Sequence, residues 1–120
     1  MNKRTLKELE ADAARFQQSG ALEQAAHALI EAIDLAPSEA RLYEQLIQVT
    51  LLMGSTQTAV DASKELARVR PGPQAEWLQA VAAMAHGNTA DAKARATELA
   101  TRSTDATVRA QAKALLAQLK

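Results

Sequence analysis

The sequence predicts an all-α protein, an α-α superhelix in which three helical hairpins stack and a seventh helix covers one end. Three observations lead there. Apolar residues make up 48% of the 120 positions while aromatics make up 2%, a composition that suits close helix packing through alanine and leucine rather than a core of large rings. Glycine and proline are few, four and three, and they stand where amphipathic stretches end. A spacing of thirty-four residues relates Leu9 to Tyr43 and Tyr43 to Trp77, and the same register carries Gly20 onto Gly54, Ala25 onto Ala59 and Pro37 onto Pro71. In the third copy Gly87, Ala92 and Leu99 follow Gly54, Ala59 and Leu66 by thirty-three, so one residue is missing between Trp77 and Gly87. Periods of this length mark helical repeat arrays.

Each element follows from local chemistry. Thr5 and Glu8 form a T-x-x-E capping box that opens a helix running to about Ser19, and Gly20 allows the tight turn after it. The stretch "LEQAAHALIEAIDL" places Leu22, Ala25, Ala26, Leu29, Ala32, Ile33 and Leu35 on a helical stripe, and Pro37 ends it by disfavouring helix in the residue before it. Ser38 is the expected cap of the next helix, to about Met53, and Ser55 of the one after, to about Val69. "RPGPQAEW" puts Gly72 at a cap and Pro73 at a first helical position. Asn88 and Asp91 start a sixth helix, and a seventh is expected to begin at Ser103 or Thr104, with Val108, Ala112, Leu115, Leu116 and Leu119 on one side and Arg109 and Lys113 on another. One domain over 1–120 is expected, with repeats at about 6–39, 40–73 and 74–103 and the capping helix at about 104–119.

A unit of this kind resembles the tetratricopeptide repeat. The first copy supplies Leu9, Ala13, Phe16, Gly20, Ala25, Leu29, Ala32 and Pro37 at the family's positions, and the second supplies Tyr43, Leu46, Gly54, Ala59 and Pro71. The third has Trp77, Gly87 and Ala92 but departs at Val81, Leu99 and Thr104, and Asp12 stands where the family has an apolar residue. The physical reading agrees with the resemblance. One hairpin cannot bury its own apolar face, so stacking makes the core continuous and leaves the ends to be covered. The stretch "ARLYEQLIQVTLLM" is apolar nearly all round, as befits the middle of a stack, and the last helix, with its Arg and Lys, suits a polar cap.

Composition also bounds function. Fourteen basic and fourteen acidic residues cancel, so no basic footprint for nucleic acid exists, although residues 6–39 hold seven acids against two bases. Without cysteine, thiol catalysis, disulfides and cysteine-ligated metal are excluded. The start "MNKRTLKELEADAARF" has no apolar run after its basic residues, and no segment approaches the ~18 apolar residues of a membrane span; a cytoplasmic protein without membrane partner is expected. His27 lies between Glu23 and Glu31 at four-residue spacings, which predicts surface ion pairing rather than a metal site, since no H-E-x-x-H accompanies it. His86, beside Gly87, suits the C-terminus of the fifth helix. Catalytic and phosphate-binding motifs are missing, so no enzyme, metal or cofactor is expected.

What is left is recognition. The resemblance implies an inner groove lined by the first helix of each repeat. Its positions fall on Lys7, Glu10, Ala14, Gln17 and Gln18 in the first copy, then on Arg41, Glu44, Gln48, Leu51 and Leu52 in the second. In the third they fall on Ala75, Leu78, Ala82, Ala85 and His86. The groove therefore changes from polar to apolar along its length. Where chaperone-binding members grip a terminal carboxylate with cations, this chain has Glu10, Ala14, Gln45, Ala75 and Gln79, so a peptide or protein segment with apolar anchors is the expected partner. The expected function is a non-catalytic adaptor, similar to small three-repeat chaperones or assembly factors. The alternative is a structural module that self-associates into a homo-oligomer.

Overall fold

The computed structural model describes residues 4–119, and these form seven α-helices with no strand. They are α1 (Leu6–Gln18), α2 (Leu22–Leu35), α3 (Ala40–Met53), α4 (Thr56–Val69), α5 (Pro73–Ala85), α6 (Thr89–Arg102) and α7 (Ala106–Gln118). Each helix packs on the next in sequence, and α3 also meets α5, as α5 meets α7. The result is a stack measuring 52 × 25 × 20 Å, the elongated shape that nearest-neighbour packing of repeats produces.

The turn inside each hairpin is the same device three times. Gly54 closes α3 in the left-handed region, at φ 79°, and the Ser55 amide donates back to the Thr50 carbonyl at 2.8 Å. The corresponding bonds, Ala21 to Phe16 and Asn88 to Ala83, measure 2.8 and 2.9 Å. This is the six-to-one bond of a Schellman ending, which needs a residue without Cβ penalty at the positive-φ position. Between hairpins proline takes over. Ala36 and Arg70, each preceding a proline, adopt φ −141° with ψ near 70–80°, as the crowding of a following ring requires.

Three expected hydroxyl caps are corrected, and the first is Ser55, which is the N-cap residue of α4 but makes no side-chain capping bond. Glu39, not Ser38, is the N-cap residue of α3, and its side chain makes no capping bond. Asp105, not Ser103 or Thr104, caps α7, its carboxylate accepting from the Val108 amide at 3.1 Å. A carboxylate there also meets the positive end of the helix dipole, which a hydroxyl cannot. The Thr5–Glu8 capping box is present in both directions, with the Thr5 amide 3.2 Å from Glu8 Oε1 and the Glu8 amide 3.2 Å from Thr5 Oγ1.

The core divides in two. Leu9, Leu29, Leu42, Ile47, Leu66 and their neighbours fill the first three-fifths of the stack, and Ala75 joins them from α5. Ala80, Leu99, Val108, Ala112 and Leu115 form a second cluster with Trp77 and Met84 packed against it. Helix α5 thus serves both, and each fully buried leucine or isoleucine contributes about 1.5–3 kcal/mol by leaving water. Ala25, Ala59 and Ala92, one per repeat, are completely buried; only a methyl group at these places lets the paired helices approach closely. Val108, Ala112 and Leu115 seat α7 on the stack, while Lys113 stays exposed.

Candidate functional site: the inner face and the outer clefts

The residues expected to line a groove lie on the first helices of the hairpins, and the structure gives each a distinct setting. On α3 the exposed stripe runs through Arg41, Gln48 and Leu52, with Glu44 and Gln45 half-buried beside it, the three- and four-residue steps of one helix face. Two ion pairs occupy its polar end. Arg41 forks onto Glu10 of α1, Nε to Oε1 at 2.8 Å and Nη2 to Oε2 at 3.0 Å, and also pairs with Glu39. Glu44 pairs with Arg70, at the end of α4. The hydrogen bond from Arg41 holds the Glu10 carboxyl below the ordinary carboxylate range, and that same bond raises the Arg41 guanidinium. The first pair joins two repeats, and the second joins α3 to the end of α4 within one.

The apolar end is different. Leu51 and Leu78 are half-buried and pack against the first core cluster, and Ala82 is buried outright, as is Ala75. Leu52 is 68% exposed, the most exposed large apolar side chain among the described residues. Lys7, Ala85 and His86 are exposed and Gln17 is half-buried. His86 closes α5, and its Nδ1 sits 2.9 Å from Thr56 Oγ1 at the start of α4. Of Glu10, Ala14, Gln45, Ala75 and Gln79, the last accepts from Arg95 of α6 at 3.3 Å.

His27 is exposed, and no ion pair joins it to Glu23 or Glu31 among the described residues. Solvated side chains gain too little from such pairing to be held in one geometry. Asp12, anomalous for the repeat pattern, is 8% exposed and lies between two cations, 2.6 Å from Arg4 and 3.2 Å from Arg15. The three-residue step from Asp12 to Arg15 was the readable sign of that pairing. Among the described residues no cluster of three potential ligands could hold a metal ion, and no helix is long and apolar enough to cross a membrane.

Solved structures share this architecture. The type III secretion translocator chaperone SycD of Yersinia enterocolitica, solved as an alternative dimer, superposes with a TM-score of 0.76 at 20% identity, over 98% of this chain and 93% of that one. A T3SS complex from Aeromonas hydrophila matches with a TM-score of 0.76 at 19% identity, over 98% of this chain and 82% of that one. The chain has their fold. No protein-family model and no curated protein matches it in sequence. At such identity the likeness lies in helix order and packing rather than in shared side chains, so the surface must be argued from this chain alone.

Clefts lie between the second helices of the hairpins, and His86 of the expected groove lines one of them. Between α4 and α6, over α5, two adjoining clefts of about 380 and 270 Å³ share Gln79 and Arg95, and their charges are mixed, with Lys64 and Arg95 against Glu76, Asp91 and Glu98. Arg95 is engaged by Asp91 at 2.9 Å. Between α2 and α4, over α3, a cleft of about 200 Å³ has an almost wholly apolar lining and a rim of Asp34, Asp61 and Glu65. Repeat spacing did not reveal these clefts. The readable sign was the four-residue pairing of Ile30 with Asp34 and of Asp61 with Glu65, which sets apolar and acidic positions along one outer face.

Proposed function

We propose that the chain is a single non-catalytic binding domain, a small chaperone or assembly factor, that holds a segment of another protein on its inner face. The observation that carries this reading is Leu52, a leucine 68% exposed at the end of an otherwise polar stripe on α3. Such a side chain gains by being covered, whereas Leu51 and Leu78 are already partly spent on the core. The neighbouring fold of a translocator chaperone supports a protein ligand. The ion pairs of Glu10, Arg41 and Glu44 leave the polar half of the face to positioning, with Lys7, Gln17, Gln48, Ala85 and His86 as its remaining contacts. Burying one leucine and its surroundings yields a few kcal/mol at about 25 cal/mol per Å², less the cost of ordering a flexible segment, so binding weaker than or near micromolar is expected.

Leu52→Glu tests it. Partner capture from native extract, followed by mass spectrometry, is compared between wild type and variant with far-UV circular dichroism as the fold control. Loss of the captured partner at unchanged helicity supports the reading, and equal capture by both proteins sinks it.

A second reading is self-association through the same leucine, favoured by the dimer in which SycD was solved. Light scattering after gel filtration separates the two. A wild-type dimer that Leu52→Glu converts to monomer assigns Leu52 to a homo-oligomer, and a monomer throughout removes that reading.

A further inference from the structure

The outer cleft between α2 and α4 is a second surface, on the side of the stack away from the residues assigned to segment binding. Its floor is made by Ile33, Tyr43, Leu46 and Ala62. The Tyr43 phenol donates to the Pro37 carbonyl at 2.7 Å, so its hydroxyl is already satisfied and the ring adds apolar surface. At the edge stands Ile30, 43% exposed, and the same helix also presents Leu35 at 55%. Two of the three large apolar side chains exposed in the described residues therefore belong to α2, where a solvated helix face normally carries charge.

The charge around this surface has one dominant sign. The charged residues lining the cleft are Asp34, Asp61 and Glu65, and α2 holds Glu23, Glu31 and Asp34 with no Lys or Arg. Glu65 is paired with Arg68 at 2.8 Å. Asp61 accepts only an amide hydrogen bond, from Gln57 at 3.0 Å, and neither Asp34 nor Asp61 has an ion-pair partner among the described residues. An apolar floor within an acidic rim fits an apolar side chain carried between cations, because opposite rim charges steer encounter and fix orientation while the buried anchor supplies affinity.

We propose that the α2–α4 cleft docks a basic amphipathic segment of a partner protein, one bulky apolar residue seating over Ile33, Tyr43 and Leu46 and its flanking Lys or Arg residues meeting Asp34 and Asp61. This docking is independent of Leu52 and adds a second contact surface to the protein.

The test uses fluorescence anisotropy with two labelled synthetic peptides, an amphipathic helix with leucine anchors flanked by Lys and Arg and the same peptide with Glu at every cationic position. Wild type should bind the basic peptide, and added salt should weaken that binding. The acidic peptide should bind at least roughly tenfold more weakly, and Asp34→Lys with Asp61→Lys should weaken the basic peptide by a similar factor. Ile30→Glu should also weaken it. Leu52→Glu should leave it unchanged, so failure here is distinct from failure of the inner-face reading. All four substituted positions are exposed, and circular dichroism confirms folding. No binding of the basic peptide, or equal binding by the charge-reversed variant, overturns the proposal. A wild-type dimer that dissociates on Ile30→Glu overturns it too, because the occupant would then be a second copy of the chain.

Discussion

The guanidinium of Arg41 grips the carboxylate of Glu10 through two parallel bonds, 2.8 and 3.0 Å long, across thirty-one residues of sequence. It ties the first helix of one hairpin to the first helix of the next, at a position where the resemblance to peptide-binding repeats implies a ligand contact. A fork of this geometry orients as well as attracts. The side chains are partly exposed, 25% for Glu10 and 48% for Arg41, so the attraction is screened by salt.

Acid should loosen the N-terminal end of the stack. The Glu10 carboxyl is lowered from 4.5 chiefly by its hydrogen bond from Arg41, and the Glu8 carboxyl chiefly by the backbone amide of Thr5. A carboxyl whose folded value lies below its unfolded value contributes stability that is fully present above the unfolded value and lost as pH falls through the folded one. Thermal melting should therefore be flat from neutral pH down to about one unit above 4.5 and decline below it. Glu10→Gln should lower the neutral-pH melting temperature slightly and make the acid decline shallower. An unchanged acid slope in Glu10→Gln would falsify the link between this pair and the decline.

The helix crossings depend on methyl-sized residues. Ala59 is completely buried on α4, and a larger side chain there must push its neighbours apart. Ala59→Leu is expected to cost about 1–3 kcal/mol, read as a lower denaturant midpoint. Ala85→Leu, at an exposed position of α5, should stay within about 0.5 kcal/mol of wild type. Equal midpoints for the two variants would show that the crossing tolerates volume.

Caps should differ by whether their side chains are used. Asp105→Ala removes an acceptor for the Val108 amide and should cost about 1 kcal/mol, as should Thr5→Ala. Ser55→Ala should be nearly neutral, because Ser55 makes no side-chain capping bond and the same backbone geometry recurs at Ala21, with φ −82° and −83° at the two sites. Amide hydrogen exchange would place the loss, fastest in the first turn of α7 for Asp105→Ala and of α1 for Thr5→Ala. A Ser55→Ala loss as large as that of Asp105→Ala would contradict the assignment.

Much of the fold was legible because it rests on short-range rules. Gly20, Gly54 and Gly87 mark hairpin turns wherever they stand, Pro37 and Pro71 end helices by local crowding, and the spacing of Leu9, Tyr43 and Trp77 repeats whatever surrounds it. The start of α7 was misplaced by one or two residues because Ser103, Thr104 and Asp105 are all competent caps, and the choice among them is made by where α7 must lie to seat Val108 on the second core cluster. The three-residue step to Arg15 makes half of the Asp12 setting legible, but its second partner, Arg4, reaches it from outside the helix.

The surface divides in the same way. The resemblance to the repeat family named Arg41, Gln48 and Leu52 as groove positions, and 3.6 residues per turn sets them along one helix face. It could not say that Leu51 and Leu78 turn into the core while Leu52 is left outside, because one helix face contacts several neighbours whose positions are set by packing. Nor could it bring Ile33, Tyr43 and Ala62 to one cleft, for they come from three helices and meet only when the hairpins stack. The sequence by itself determined the helices, their turns and their repeat; tertiary structure alone decided which apolar side chains are spent on the core and which remain to be covered, because burial is a property of neighbours and not of spacing.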